Sequence, residues 1–546
     1  MPVTVYQAFS QAAQKWPNKP FLHVARETAA IYNIDSGDIL YQEAFEQVES
    51  LKQSYQDAGY GYGHRVGLLL ENRPAFFNHW FALNALGVSV VPINADMRAS
   101  ELEYLIGHSE ICLAVALESR HALLADAAKA INQKLVLINA NQTPKPAPIP
   151  APATKQIPNK DTECALLYTS GTTGRPKGCV LSNLYYLHAG HWYANIGGLA
   201  TLKEGQERML TPLPLVHMNA MACSTMAMIT TGGCLIALDR FHPRSFWDTV
   251  RETQASIVHY LGVMPAILMK AAASPNDKNH QLRFGFGAGV DPKLHIPFEE
   301  RFGFPLLEAW AMTETGNGAV VIANREPRFA GTACFGKEGP DVLVKLIDDD
   351  GQEVTTPYVN GQLLVKHAGP NPRYGFFTKY LKDEEATAEA WQDGWFHTGD
   401  IVHRNAEGYL IFVDREKNVI RRSGENISAV EVESVLLQHP AIKAAAVAAT
   451  PDAIRGDEVL ACIVCHTHPK PDEKTDLATE IVQFCLERLA YFKVPGYIAF
   501  VTELPLTSTN KIQRGELQKM AEQLPKQSDC INTTALKKRQ EVNPDA

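Results

Sequence analysis

The chain has little that would take it out of a reducing compartment, into a membrane or onto nucleic acid. Ten cysteines in 546 residues are too sparse and too irregular for a disulfide framework, which points to the cytoplasm. The opening MPVTVYQAFSQAAQKWPNKP lacks the charged-then-apolar order of a secretory signal. A formal charge of −9 argues against the basic face that a phosphate backbone demands, so no nucleic-acid partner is expected. The stretch from Met209 to Leu238 carries no charge beyond one that His217 could take. Pro212, Pro214, Asn219 and the Gly232-Gly233 pair interrupt it, whereas a spanning helix wants about 20 mostly apolar residues. Buried core is therefore expected there, with no transmembrane segment and, along the chain, no internal repeat.

Two local patterns fail on geometry. CIVCH, from Cys462 to His466, fits a covalent haem attachment site, with His468 as a further ligand. Its surroundings, EVLACIVCHTH, read as a strand, in which Cys462 and Cys465 would face opposite sides. FGFGAGV, from Phe284 to Val290, has Glu308 about twenty residues on, as a dinucleotide turn would, but its third glycine comes too early for that motif.

What is present is strand-helix alternation. YQEAFEQVESLKQSYQDAG and PAFFNHWFALNALG have helical patterns, and HRVGLLL and VSVVPIN read as short buried strands. This predicts an α/β fold with mainly parallel sheets. A Pro-rich connection, Asn141 to Lys160, follows. After residue 340 the texture turns to strands joined by Asp, Asn and Gly turns, and a small α+β unit is expected from about Asp414. Residues 523–546 have little to bury and are expected to form a mobile tail.

Chemistry concentrates in ALLYTSGTTGRPKGCVLS. A strand from Ala165 to Tyr168 would deliver a polar turn in which Gly171 and Gly174 permit close backbone approach. Backbone N–H groups and the hydroxyls of Thr169, Ser170, Thr172 and Thr173 could surround phosphate oxygens, with Lys177 as a point charge. The spacing is not that of a Walker loop.

YTSGTTGRPKG closely resembles the phosphate loop of adenylate-forming enzymes, the superfamily of acyl-CoA synthetases, luciferases and peptide-synthetase adenylation domains. EAWAMTETG (Glu308 to Gly316), DGWFHTGDI (Asp393 to Ile401), FVDREKNVIRRSGENIS (Phe412 to Ser428) and LPLTSTNKIQR (Leu504 to Arg514) resemble later family motifs in the same order. The likeness extends to about residue 520, and RRSGENISAVEVE and FWDTVRETQASIVHYLGVMPAIL look most like the carnitine/crotonobetaine-CoA ligase branch.

The resemblance implies a large N-terminal α/β region (1–413) with the ATP and acyl sites, and a small mobile C-terminal α+β domain (414–522). It implies an AMP-forming acid–thiol ligase using ATP, Mg²⁺, coenzyme A and a carboxylic acid. Thr173 and Lys177, with Thr169, Ser170, Gly171, Thr172 and Gly174, would meet the triphosphate. Thr313 would face the α-phosphate and Glu314 would hold Mg²⁺. The strand end at Gly287 and Ala288 would floor the adenine and acyl pockets, Trp310 would offer adenine a flat face, and Glu308 and Ala309 are placed with them as cofactor-binding residues. Asp400 would bind the ribose, Arg415 would reach the nucleotide, Lys417 would be the hinge, Gly424 would leave room for pantetheine and Lys511 would act on the α-phosphate. His217, Met218, Asn219, Met264, Gly287 and Gly316 are the implied acyl-site residues, with His217 placed among the catalytic group. Two departures stand out: Trp310-Ala311 replaces the usual Tyr-Gly, and Asn510 replaces the glycine before the lysine. A carrier-protein acceptor, a luciferase-type oxygenase, a non-catalytic nucleotide binder and a homodimer all stay open.

Overall fold

The computed structural model describes residues 2–152, 156–169, 176–348, 350–415, 419–505, 513–527 and 529–538, with backbone alone at 414, 415, 419, 514 and 515. Its frame is a pair of parallel sheets with antiparallel edges. In the eight-stranded one, Leu306–Trp310, Phe284–Ala288, Ile257–Leu261, Arg208–Thr211, Cys234–Ala237 and Pro20–Val24 run parallel in that spatial order. In the seven-stranded one, Glu163–Thr169, Ser89–Pro92, Arg65–Leu69, Leu113–Ala116 and Val136–Ile138 run parallel. Parallel strands are covered on both faces, which explains why HRVGLLL and VSVVPIN read as unbroken apolar runs rather than alternating ones.

The helix Pro74–Ala85 shows how this frame is filled. Proline stands at its first turn, where its missing N–H is no loss. Phe76, Phe77, Trp80, Phe81, Ala82 and Leu83 are buried around its circumference, as expected of a helix wholly inside a core. Truncating Trp80 or Phe81 to Ala would cost about 3–5 kcal/mol. The run Met209–Leu238 is interior: it supplies two neighbouring parallel strands, Arg208–Thr211 and Cys234–Ala237, joined through a π-helix, Asn219–Ser224, and the α-helix Thr225–Thr231. Among the described residues no helix is long and apolar enough to cross a membrane.

A third sheet is antiparallel: Cys334–Gly336, Leu410–Arg415, Trp395–Arg404, Gly361–His367 and Val342–Ile347. A fourth is mixed and has its own core, drawn from residues between Ile420 and Phe500. Its strand Gly456–Cys465 settles the haem-like motif. Cys462 packs in one apolar cluster with Leu460 and Ala499, and Cys465 in another with Ile463 and Ile481, on the other face.

The tail is a correction. Cys530–Asn532 adds an antiparallel strand to Tyr497–Phe500. Beyond it, Lys537 is buried, and its Nζ donates to the carboxylate of Glu458, which Arg422 Nε also reaches at 2.8 Å. The expectation of a mobile tail over 523–546 rested on low apolar content; for residues 529–538 an edge strand and one buried ion pair supply anchors, and 528 and 539–546 lie outside the described residues. Lys537→Ala should lower stability by about 1–3 kcal/mol, the cost of a buried charged group short of a partner. The check is the urea midpoint, which should fall at unchanged slope.

Candidate active site

The strand Glu163–Thr169 runs up to the glycine-rich segment, and Lys177–Ser182 returns antiparallel, with Thr169 directly opposite Lys177. Ser170, Gly171, Thr172, Thr173 and Gly174 lie outside the described residues, as do Lys417, Asn510 and Lys511. Arg415 is described in backbone only, at the end of its strand and opposite Asp400.

The hairpin's stem opens onto a cavity of about 320 Å³. Thr169, Lys177, Thr313 and Glu314 line it on one side, Gly287, Ala288 and Ala309 at the ends of two parallel strands, and His217, Met218 and Asn219 on another. The carboxylate Oε1 of Glu314 accepts from Thr169 Oγ1 at 3.3 Å and from the Tyr380 hydroxyl at 3.0 Å. Lys177 Nζ sits 4.9 Å from the centre of the Tyr380 ring. Thr313 is held from behind, its carbonyl accepting from the Tyr185 hydroxyl at 2.9 Å. Tyr380 was invisible in the sequence, because FFTKYLKDEE contains no motif; its strand Lys379–Tyr380 reaches the site only by pairing with Lys177–Ser182.

Among the described residues no group of three or more His, Cys, Asp or Glu converges as a metal cage. Mg²⁺ is usually held by one or two carboxylates together with substrate phosphates. Glu314 meets the requirement: it is on the cavity wall, and the two hydroxyls use only part of a carboxylate's acceptor capacity.

The residues expected beside a nucleotide divide. Gly287 needs to be glycine, since a Cβ there would come within 2.2 Å of the Tyr260 carbonyl oxygen. Trp310 Nε1 donates to Asp400 Oδ2 at 2.8 Å, so the indole is tied edge-on to the carboxylate, and both are buried beside the cavity rather than on its lining. Thr398, two residues before Asp400, does line it. Glu308 faces away. Its carboxylate accepts from Tyr260 OH at 2.8 Å, Gly289 N at 2.9 Å and Val290 N at 3.3 Å, and so clamps the turn after the strand Phe284–Ala288. Burial pushes its pKa up, against those hydrogen bonds. Met264 and Gly316 are buried off the cavity; Gly316 is packed against the Tyr185 ring.

The fourth sheet closes the remaining side with a hairpin, Val419–Arg422 and Glu425–Ser428. Ser423 and Gly424 form its two-residue turn with φ of 52° and 91°, the pair of left-handed residues that a tight hairpin favours. A Cβ on Gly424 would lie 2.1 Å from Leu261 Cδ1, at the end of a parallel strand. Beside it, Glu425 reaches His217 at 3.4 Å. Burial works against a charge on His217, and the Glu425 carboxylate outweighs it, raising the pKa. Farther out, Lys493 Nζ lies 2.5 Å from Glu101 and 2.7 Å from Glu431, tying the fourth sheet's core to the helix Ala99–Ser109. A second cavity of about 130 Å³ runs from Lys493 past Phe492 and Glu425 to Thr313, His217 and Gly424.

A family model described as AMP-binding enzyme matches residues 9–374, and one described as AMP-binding enzyme C-terminal domain matches residues 431–511. The chain belongs to the AMP-binding enzyme family. It is 29% identical over 510 residues to the crotonobetaine/carnitine–CoA ligase of Salmonella paratyphi B, covering 90% of this chain and 96% of the relative. It is 25% identical to o-succinylbenzoate CoA synthetase from Bacillus subtilis. A double mutant of that synthetase with a product analogue superposes at TM-score 0.78, covering 94% of this chain and 98% of that one. The same enzyme with its acyl-adenylate intermediate gives 0.64, at 93% and 97% coverage. This AMP-binding enzyme is thus an adenylate-forming acid–thiol ligase with a large N-terminal α/β region and a smaller C-terminal one.

The His217–Glu425 pair makes a pH prediction. A histidine whose pKa is raised by a partner contributes to docking below its ordinary value near 6.5, and that contribution is lost as pH rises through the raised value. Glu425→Gln should therefore move the His217 titration to lower pH in a histidine-resolved NMR series. An unmoved titration would show that the carboxylate does not govern this ring.

Proposed function

We propose that the enzyme activates a carboxylic acid with Mg·ATP to an acyl-adenylate and pyrophosphate, then transfers the acyl group to coenzyme A with release of AMP. The observation that carries this reading is the junction at Glu314, Thr169, Tyr380 and Lys177, which sets one carboxylate and one ammonium on the cavity wall at the stem of the glycine-rich hairpin. In this reading Lys177 and the hydroxyls from Thr169 to Thr173 neutralise the triphosphate, and Thr313 meets the α-phosphate. Mg²⁺ on Glu314 would supply charge neutralisation to the transferring phosphoryl oxygens. A carboxylate oxygen attacks the α-phosphorus, the bond to pyrophosphate breaks, and Lys511 stabilises the charge that develops. Asp400 orients the ribose while held by Trp310.

For the second step the coenzyme A thiol, as thiolate, adds to the acyl carbonyl and AMP leaves. The channel past Lys493, Phe492 and Gly424 supports a route for the pantetheine arm. The higher similarity to the synthetase with a product analogue than to the same enzyme with its acyl-adenylate supports assigning the described arrangement to this second step. The first step then requires a different placement of residues 419–538, pivoting near Lys417, which brings Lys511 inward.

The test follows pyrophosphate and thioester separately in a panel of acids with ATP, Mg²⁺ and coenzyme A. Glu314→Gln should reduce pyrophosphate release by about tenfold or more at limiting Mg²⁺. Lys511→Ala should slow adenylation by about 10²–10³ while thioester formation from supplied acyl-AMP survives. Gly424→Leu, which drives a side chain into Leu261 in the arrangement described, should do the reverse. Equal losses in both steps for both folded variants would rule out two arrangements.

A further inference from the structure

The acyl end of the cavity contains a hydrogen-bond relay whose directions can be worked out. His259, on the strand Ile257–Leu261, is fully buried, and burial pulls its pKa down to about 3, so the ring is neutral and has one donor and one acceptor nitrogen. Its Nδ1 lies 2.9 Å from Ser224 Oγ and 2.7 Å from Asn219 Oδ1; its Nε2 lies 3.0 Å from the Tyr193 hydroxyl. Asn219 Oδ1 can only accept, and Ser224 Oγ, which reaches the backbone carbonyl of Asn219 at 3.1 Å as a donor, accepts from the same ring nitrogen. The imidazole proton is therefore on Nδ1, Tyr193 donates to Nε2, and Asn219 Oδ1 accepts. With its oxygen turned into the relay, Asn219 has its NH₂ left over, on a residue that lines the cavity and for which no further partner stands among the described residues.

The relay is rigid. His259 packs in a cluster of three rings, 4.8 Å from Phe286 and 5.6 Å from Tyr193, which are 5.0 Å from each other, and Asn219 opens the π-helix whose wide turn is closed by side-chain bonds from Ser224 and Thr225 to carbonyls five residues back. Apart from His217, which pairs with Glu425, the charged groups of the cavity wall stand on other elements. Glu314, Lys177 and Glu389 lie on the Tyr380 side, and Arg421 lies on the C-terminal hairpin. His217, two residues before Asn219, is biased towards its cationic form by Glu425. A cationic acyl head would find no carboxylate on the elements that carry Asn219, and Phe286 already has a face covered by His259.

Resting on the acid activation proposed above, we infer that Asn219 is a specificity-determining donor for a neutral oxygen, a hydroxyl, ether or oxo group, on an otherwise uncharged acid, with His259 and Tyr193 as positioning residues. The enzyme would then differ in substrate class from a ligase of carnitine, whose head is a quaternary ammonium.

The test is kcat/KM for pyrophosphate release with matched acids of one chain length: the plain alkanoic acid, analogues with a hydroxyl or oxo group at successive carbons, and the trimethylammonio analogue. The wild type should favour an oxygenated acid over the alkanoic one by about tenfold, one net hydrogen bond, and should use the trimethylammonio acid least. Asn219→Asp keeps the size and the bond from His259 but presents no donor; the preference should vanish, and the cationic acid should gain relative to the others. Asn219→Ala should also abolish the preference, and Tyr193→Phe should weaken it. All these readouts are ratios within one folded variant. Pyrophosphate release by the wild type with no preference across the oxygen scan would overturn the inference and leave the activity standing, as would variants that slow every acid by one factor. Absence of pyrophosphate with every acid would overturn the activity, and the inference with it.

Discussion

The carboxylate of Glu314 is the point on which the two parallel sheets converge. Glu314 follows a strand of the eight-stranded sheet; Thr169 and Tyr380, which donate to it, end strands of the seven-stranded one. A buried carboxylate without donors would be costly to hold. The same hydroxyls that stabilise it therefore register one sheet against the other. The cavity is what remains between strand ends fixed in this way, which agrees with the general placement of ligands at the carboxyl ends of parallel strands.

Contiguous features were legible in the sequence. A strand read from Ala165 to Tyr168 needs only neighbours, and it is found within Glu163–Thr169. The two cysteines of CIVCH separate because strand geometry alone dictates it. Features made by distant segments were not legible. Glu308 has the spacing of a ligand; that Tyr260, Gly289 and Val290 donate to its oxygens is marked by none of those three in sequence. Trp310 could be read as an aromatic face; that its N–H would fix Asp400 depended on a sheet formed ninety positions later. Asn219 was implied as an acyl-site residue, but Tyr193, Ser224 and His259, which hold it, are ordinary residues until the fold brings them together.

The hairpin at Gly424 shows how local strain and long-range fit coincide. The turn alone would ask for glycine on backbone grounds, since its φ is 91°. Contact with Leu261 asks for glycine again on steric grounds. The glycine thus satisfies two independent constraints, and its sequence context could declare only the first.

The segment after residue 527 has a consequence for how the protein is made. The strand Tyr497–Phe500 lacks its outer neighbour until Cys530–Asn532 has been synthesised, and Glu458 lacks one of its cations until Lys537 has followed. Arg422, the other cation, lies next to the Ser423-Gly424 turn that faces the cavity. During vectorial synthesis the N-terminal sheets can consolidate first, as domains generally do. The hairpin that completes the cavity is supported only after the final stretch of this sheet has emerged, so a nascent chain halted before Cys530 would have its parallel sheets in place and the hairpin side of the cavity unsupported.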